Sequence, residues 1–105
     1  MSIWWEIDIK TGIVDHDSIS WINDNFEVTE DTVFDLSQDL LQINFKNQKI
    51  ILDVGWYPDL DANGAFRTEL IKDNDWENPI ISVESKNIGS LKHDIGRAIS
   101  DRIYE

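Results

Sequence analysis

The chain contains no cysteine. A disulfide framework and a Cys-based zinc site are thereby excluded. A cytoplasmic location is compatible with that absence and is the expected one. The opening MSIWWEIDIK has no basic region followed by an apolar run, so no secretory signal is expected. No stretch approaches the roughly 18 apolar residues that a membrane-spanning helix needs. Basic residues are scarce, with nine Lys and Arg against 21 Asp and Glu and a net charge of −12. Such a field repels nucleic acid and anionic membrane and attracts basic partners. Neither HExxH nor a Walker pattern occurs, and the two histidines, His16 and His93, lie far apart in the chain. No catalytic residue, cofactor or metal is therefore expected, and the protein reads as a non-enzyme. There are no internal repeats and no low-complexity stretches.

What is present is enough for one folded unit. The 105 residues, 41% hydrophobic with five Trp, predict a single domain over 1–105 with its own core. The acidity is uneven. Residues 1–40 carry ten acids and one base, Lys10, for a net −9. Residues 41–105 carry eleven acids and eight bases, for a net −3. Excess acid serves solubility in any case, but its concentration in the first two-fifths points to a surface for a basic partner.

Period-two alternation marks strands with one buried face. Ile3, Trp5, Ile7 and Ile9 alternate with Trp4, Glu6, Asp8 and Lys10, which predicts one opening strand with Trp5 in the core and Trp4 on the polar face. A hairpin at Thr11-Gly12 would return through Ile13 and Val14, at the cost of setting Asp8 opposite Asp15. Residues 15–40 admit two readings. Ser18–Ile22 fits a short strand or a helical turn capped by Asp17. Thr32–Leu36 fits a strand or, with Leu40 and Leu41, one face of a helix; the Asp, Asn, Ser and Thr content favours irregular or short-strand structure.

The clearest local prediction is a hairpin with Asn47-Gln48 at its tip. It sets Phe45 opposite Ile50, Ile43 opposite Leu52 and Leu41 opposite Val54, with Gln42 facing Asp53 on the other side. A slip of one residue destroys all three apolar pairs, so the register is specified. Further strands are expected over 65–72 and 80–85. Between Leu91 and Ile103 the apolar spacing becomes helical, with Ser90 the expected N-cap. The expected fold is α+β: an antiparallel meander of about five strands with the C-terminal helix packed on one face.

Asp59-x-Asp61-x-Asn63-Gly64 matches the first half of a calcium loop, but Leu70 stands where the bidentate Glu belongs. The segment reads instead as a turn in which Asp and Asn bond backbone N–H groups and Gly64 takes positive φ. Trp21, Trp56 and Trp76 flank acidic loops, where an aromatic ring serves either as a core rim or as an interface anchor.

Ile51-Leu52-Asp53-Val54-Gly55-Trp56-Tyr57-Pro58-Asp59-Leu60-Asp61-Ala62-Asn63-Gly64-Ala65-Phe66, followed by Asp75-Trp76-Glu77-Asn78-Pro79, resembles small immunity proteins of bacterial contact-dependent growth inhibition and related polymorphic-toxin systems. The resemblance covers about residues 50–104, and its motifs are structural. It implies a protein that binds a cognate toxin, often a basic nuclease such as an RNase or tRNase, and covers its active site. The alternative is an acidic adaptor domain in another complex. With the N-terminal charge in view, the expected toxin-binding residues are Asp15, Asp17, Trp21, Asp24, Glu27, Glu30, Asp31 and Asp35. The carboxylates of two further loops, Asp59, Asp61, Asp73 and Asp75, come next.

Overall fold

A computed structural model describes residues 7–22 and 25–104, and the backbone of 2–4. The predictions for Trp5 and Asp24, and for the side chain of Trp4, lie outside the described residues. Five strands form one antiparallel sheet in chain order: β3 (Ile13–Asp17), β4 (Leu41–Phe45), β5 (Ile50–Tyr57), β6 (Ala65–Lys72) and β7 (Ile81–Ser85). The preceding β1 (Ser2–Trp4) and β2 (Ile7–Lys10) pair with each other as a separate ribbon. Helix α1 (Ile88–Arg102) lies against β7, β6 and β2. The fold is α+β, with one helix on one face of the five-stranded sheet.

The β4–β5 hairpin has the register that its apolar pairs demand, with Phe45 on Ile50, Ile43 on Leu52 and Leu41 on Val54. In β6, Phe66, Thr68 and Leu70 extend the same face. The stripe Ile88, Leu91, Ile95, Ala98 and Ile99 of α1 is buried with these residues in one core. Residues 18–40, the connection between β3 and β4, contribute Ile19, Ile22, Val33 and Leu36 to that core. Among its described residues this connection is irregular apart from a 3₁₀ turn at Thr32–Asp35. Asp17 does act as a cap: its Oδ1 accepts from the Ile19 and Ser20 amides at 3.0 and 2.9 Å.

Three expectations are corrected. The opening alternation is not one strand, because the chain folds back and pairs Trp4 with Ile7. Nor does β2 pair with β3. Lys10 adopts φ 54°, the chain turns through a Gly12 N–H to Ile9 carbonyl bond of 2.9 Å, and Ile9 enters the core. The repulsive Asp8–Asp15 pairing is thereby avoided. The helix cap is Asn87, whose side chain accepts from the Ser90 amide at 2.8 Å. Asn caps as well as Ser does, and starting earlier places Ile88 on the buried stripe.

Candidate functional site

The expected acidic site is divided by the topology. β3 ends, at Asp17, at the same end of the sheet as the β5–β6 loop, because Asp17 pairs with Leu41 and Leu41 with Val54. The 18–40 connection is tied there as well: the Trp56 amide donates to Ser37 and the Leu40 amide to Val54. Asp15, Asp17, Trp21, Glu27, Glu30, Asp31, Asp35, Asp59 and Asp61 thus belong to the β3–β4 and β5–β6 side of the fold. Asp73 and Asp75 do not. Their loop meets the β4–β5 turn, where the Asp73 amide donates to Lys49 at 2.9 Å. The eight-residue β5 separates the two ends by about 25 Å.

All these carboxylates are exposed, but they are not equivalent. Asp17 holds its turn. The Asp61 carboxylate accepts from the Asn63 amide at 2.9 Å, and its carbonyl accepts from the Trp56 indole at 2.8 Å. Asp75 accepts from the Asn78 side-chain amide at 3.2 and 3.3 Å. These three shape loops. Asp61 thereby makes 59–64 the turn that was expected, with one correction: Leu60, not Gly64, takes positive φ, at 61°. Glycine is required at 64 because a Cβ there would lie 2.4 Å from the Tyr57 carbonyl oxygen. Among the described residues no three His, Asp or Glu side chains are placed to hold a metal ion.

Asp15, Glu27, Glu30, Asp31 and Asp35 remain as exposed carboxylates with no side-chain bond among the described residues. A Thr29–Thr32 network orders the segment that carries four of them. Thr32 Oγ1 accepts from the Thr29 amide at 2.8 Å and donates to the Glu27 carbonyl at 2.6 Å. Trp21 is 56% exposed, its indole donating to the Ser18 carbonyl at 2.8 Å and its ring edge-on to Phe26. Phe34, 70% exposed, was not singled out by the sequence reading. Trp56 proves to be core, stacked edge-on to Phe66 at 4.8 Å.

A second constellation lies on the sheet face turned away from α1. Register places His16, Gln42, Asp53, Glu69 and Ser82 in one row across all five strands. Gln42 Nε2 donates to Asp53 Oδ1 at 3.2 Å. Burial, and then the charges of Asp39 and Glu69, push the Asp53 carboxyl above its ordinary range, although Gln42 and His16 oppose the shift. Because the folded carboxyl holds its proton more tightly than the unfolded one, stability is lost as pH rises from the ordinary carboxylate value through the raised one. Asp94, raised by burial, acts in the same sense. Asp53→Asn is therefore expected to melt no lower than the parent at neutral pH and to show a flatter loss between pH 4 and neutrality. Thermal melts across that range check it.

No family model, curated protein or solved structure matches this chain.

Proposed function

We infer that this domain is an inhibitory binding module that covers the cleft of a basic toxin, a nuclease foremost. The observation that supports the reading most directly is the set of free carboxylates on β3 and its connection to β4, beside the exposed rings of Trp21 and Phe34. Carboxylates held where phosphates would bind compete with nucleic acid for a cationic cleft, and exposed aromatic rings supply anchoring area. The acidic net charge favours rapid encounter with such a partner.

The test is co-purification of the chain with the protein encoded beside it in its native operon. A basic partner whose nuclease activity is abolished by an equimolar amount of this chain is expected. A partner without such activity would point to the adaptor reading. Asp15→Asn, Asp31→Asn and Asp35→Asn combined should slow association about tenfold at low salt and flatten its salt dependence. Asp17 is left in place because it holds a turn. The melting temperature should change by no more than about 5 °C, since exposed carboxylates contribute little to stability. A triple variant with unchanged association kinetics would place the contact elsewhere.

A further inference from the structure

The sheet has two edges, β3 and β7, and they are finished differently. Natural sheets guard a free edge with charged side chains, proline or a covering segment. β3 is guarded, since Asp15 and Asp17 stand exposed along it. β7 is not. Its residues, Ile81 to Ser85, include no proline and no lysine, and Glu84 is their only charge. That carboxylate is drawn back over the sheet to Arg67 of β6, at 3.4 Å. The next cation, Lys86, is also engaged, donating to the Asn63 and Gly64 carbonyls on the wall of an open cleft beside Tyr57. In an antiparallel ladder alternate residues of an edge strand turn their N–H and C=O groups outward. Among the described residues nothing bonds to those of β7 on the side away from β6. Val83, in the middle of the strand, is 37% exposed. Beside it an open groove of about 260 Å³ runs between β7 and α1, lined by Ile81, Val83 and Ala98 and rimmed on the helix by Asp94, Arg97 and Asp101.

We propose that β7 is the seat of a homodimer, in which a second copy of the chain adds its own β7 antiparallel across a two-fold axis at Val83. The inference is independent of the toxin reading and leaves the acidic surface free. Pairing the strand with itself places Val83 on Val83, Ser82 on Glu84 and Ile81 on Ser85. No like charges meet, and the Ser82 hydroxyl can donate to Glu84. The inner faces of the two sheets then continue into each other, with both helices on the same side. Because a two-fold axis reverses direction, Arg97 of each α1 comes toward Asp94 and Asp101 of the other, a self-complementary order of charge. The same operation on β3 would set Asp15 on Asp15.

Charge selects the occupant. The chain carries −12, so a second copy is repelled over most of its surface. The segment that forms β7 and α1 is the exception, because residues 80–105 hold four acids and four bases. The acidic β3 edge stands four strand spacings away, about 19 Å. In the dimer the two β3 edges are nine spacings apart, about 43 Å, several times the screening length of roughly 8 Å at physiological salt. A basic strand, by contrast, gains nothing at a neutral edge and is drawn to the acidic one.

The experiment is sedimentation equilibrium of the full chain from low micromolar to near-millimolar concentration. A pair of five-residue strands is a small interface, so a dissociation constant of about 10–100 µM is expected. Val83→Lys and Val83→Glu should each raise it about tenfold, since each sets like charges on the axis and removes an apolar contact. Mixed one to one, the two variants should form a dimer again near parental strength, as only a residue that faces its own copy allows. Both should melt close to the parent, Val83 being partly exposed. If either variant does not fold, hydrogen exchange of the parent decides, because the outward amides of residues 81–85 should gain protection as concentration rises. A parent that stays monomeric throughout overturns the proposal. So does a dimer that neither variant weakens, a mixture that stays monomeric, or protection that rises at residues 13–17 instead. Protection of residues 81–85 by the operon partner alone, with the chain itself monomeric, assigns the edge to that partner and overturns it likewise. The toxin reading is decided apart from these measurements, by the operon partner and the Asp15, Asp31 and Asp35 variant.

Discussion

Leu52→Asp and Ile95→Asp are each expected to leave the domain unfolded at 25 °C. Both side chains are completely buried, one at the centre of the sheet and one on the helix above it. Each substitution forfeits about 2–3 kcal/mol of apolar burial. It also buries a carboxylate with no partner, which costs several kcal/mol more even after partial protonation. A chain of this length is stable by only about 5–15 kcal/mol. Far-UV circular dichroism and amide dispersion check the outcome. Leu60→Asp, at a position 52% exposed, is the control and should melt close to the parent. If the core variants melt like the parent, the assigned inner face is wrong.

The second large effect is expected at Gly55. A Cβ there would lie 2.1 Å from the Gln38 carbonyl oxygen and 2.8 Å from its carbon. Backbone, unlike the end of a long side chain, does not swing aside. Gly55→Ala must therefore push the 37–40 segment off the sheet. That strains the Trp56–Ser37 and Leu40–Val54 backbone bonds, now 2.8 and 2.9 Å. Overpacking of this kind costs about 1–3 kcal/mol, and each bond lost adds about 1. A total of about 3–5 kcal/mol lowers the melting temperature by about 12–30 °C at this size. Because the displaced segment adjoins the Tyr57 cleft, the substitution should also perturb amides of residues 37–40 in the fraction that stays folded.

The inner face of this protein was legible in its sequence and the outer face was only partly so. Leu41, Ile43 and Phe45 against Ile50, Leu52 and Val54 admit one register, and Gln42 opposite Asp53 follows from it. Opposition of Asp53 to Glu69 does not follow. The loop between β5 and β6 runs over residues 58–64, and a loop that long does not fix which β6 residue meets Asp53. The like-charge pair became visible only in three dimensions. Residues 15–40 resisted for another reason. Of their buried residues, Val33, Leu36 and Leu40 keep the spacing of one helix face, yet only the 3₁₀ turn at Thr32–Asp35 forms, because tertiary burial rather than regular hydrogen bonding holds them. The opening ribbon was misread because alternation reports which residues face inward, not where the chain turns. For the candidate site, charge along the chain located the free carboxylates of β3 and its connection. It did not distinguish them from Asp17, Asp61 and Asp75, whose oxygens are engaged by nearby donors.

The β4–β5 turn holds one further consequence. The Gln48 side chain donates to the Arg102 carbonyl at 3.1 Å and accepts from the Tyr104 amide at 2.8 Å. Lys10 Nζ reaches the neighbouring Ile103 carbonyl. Gln48 and Tyr104 are 56 residues apart in the chain. The last turn of α1 is thus fastened by segments remote in sequence, and the Gln48 bonds cannot form until the β4–β5 turn has come against it. Local helix formation takes about a microsecond, whereas domains dominated by remote contacts need milliseconds to seconds. Helix and sheet should accordingly acquire their final protection at different times, with the amide of Tyr104 among the last to become shielded from exchange during refolding.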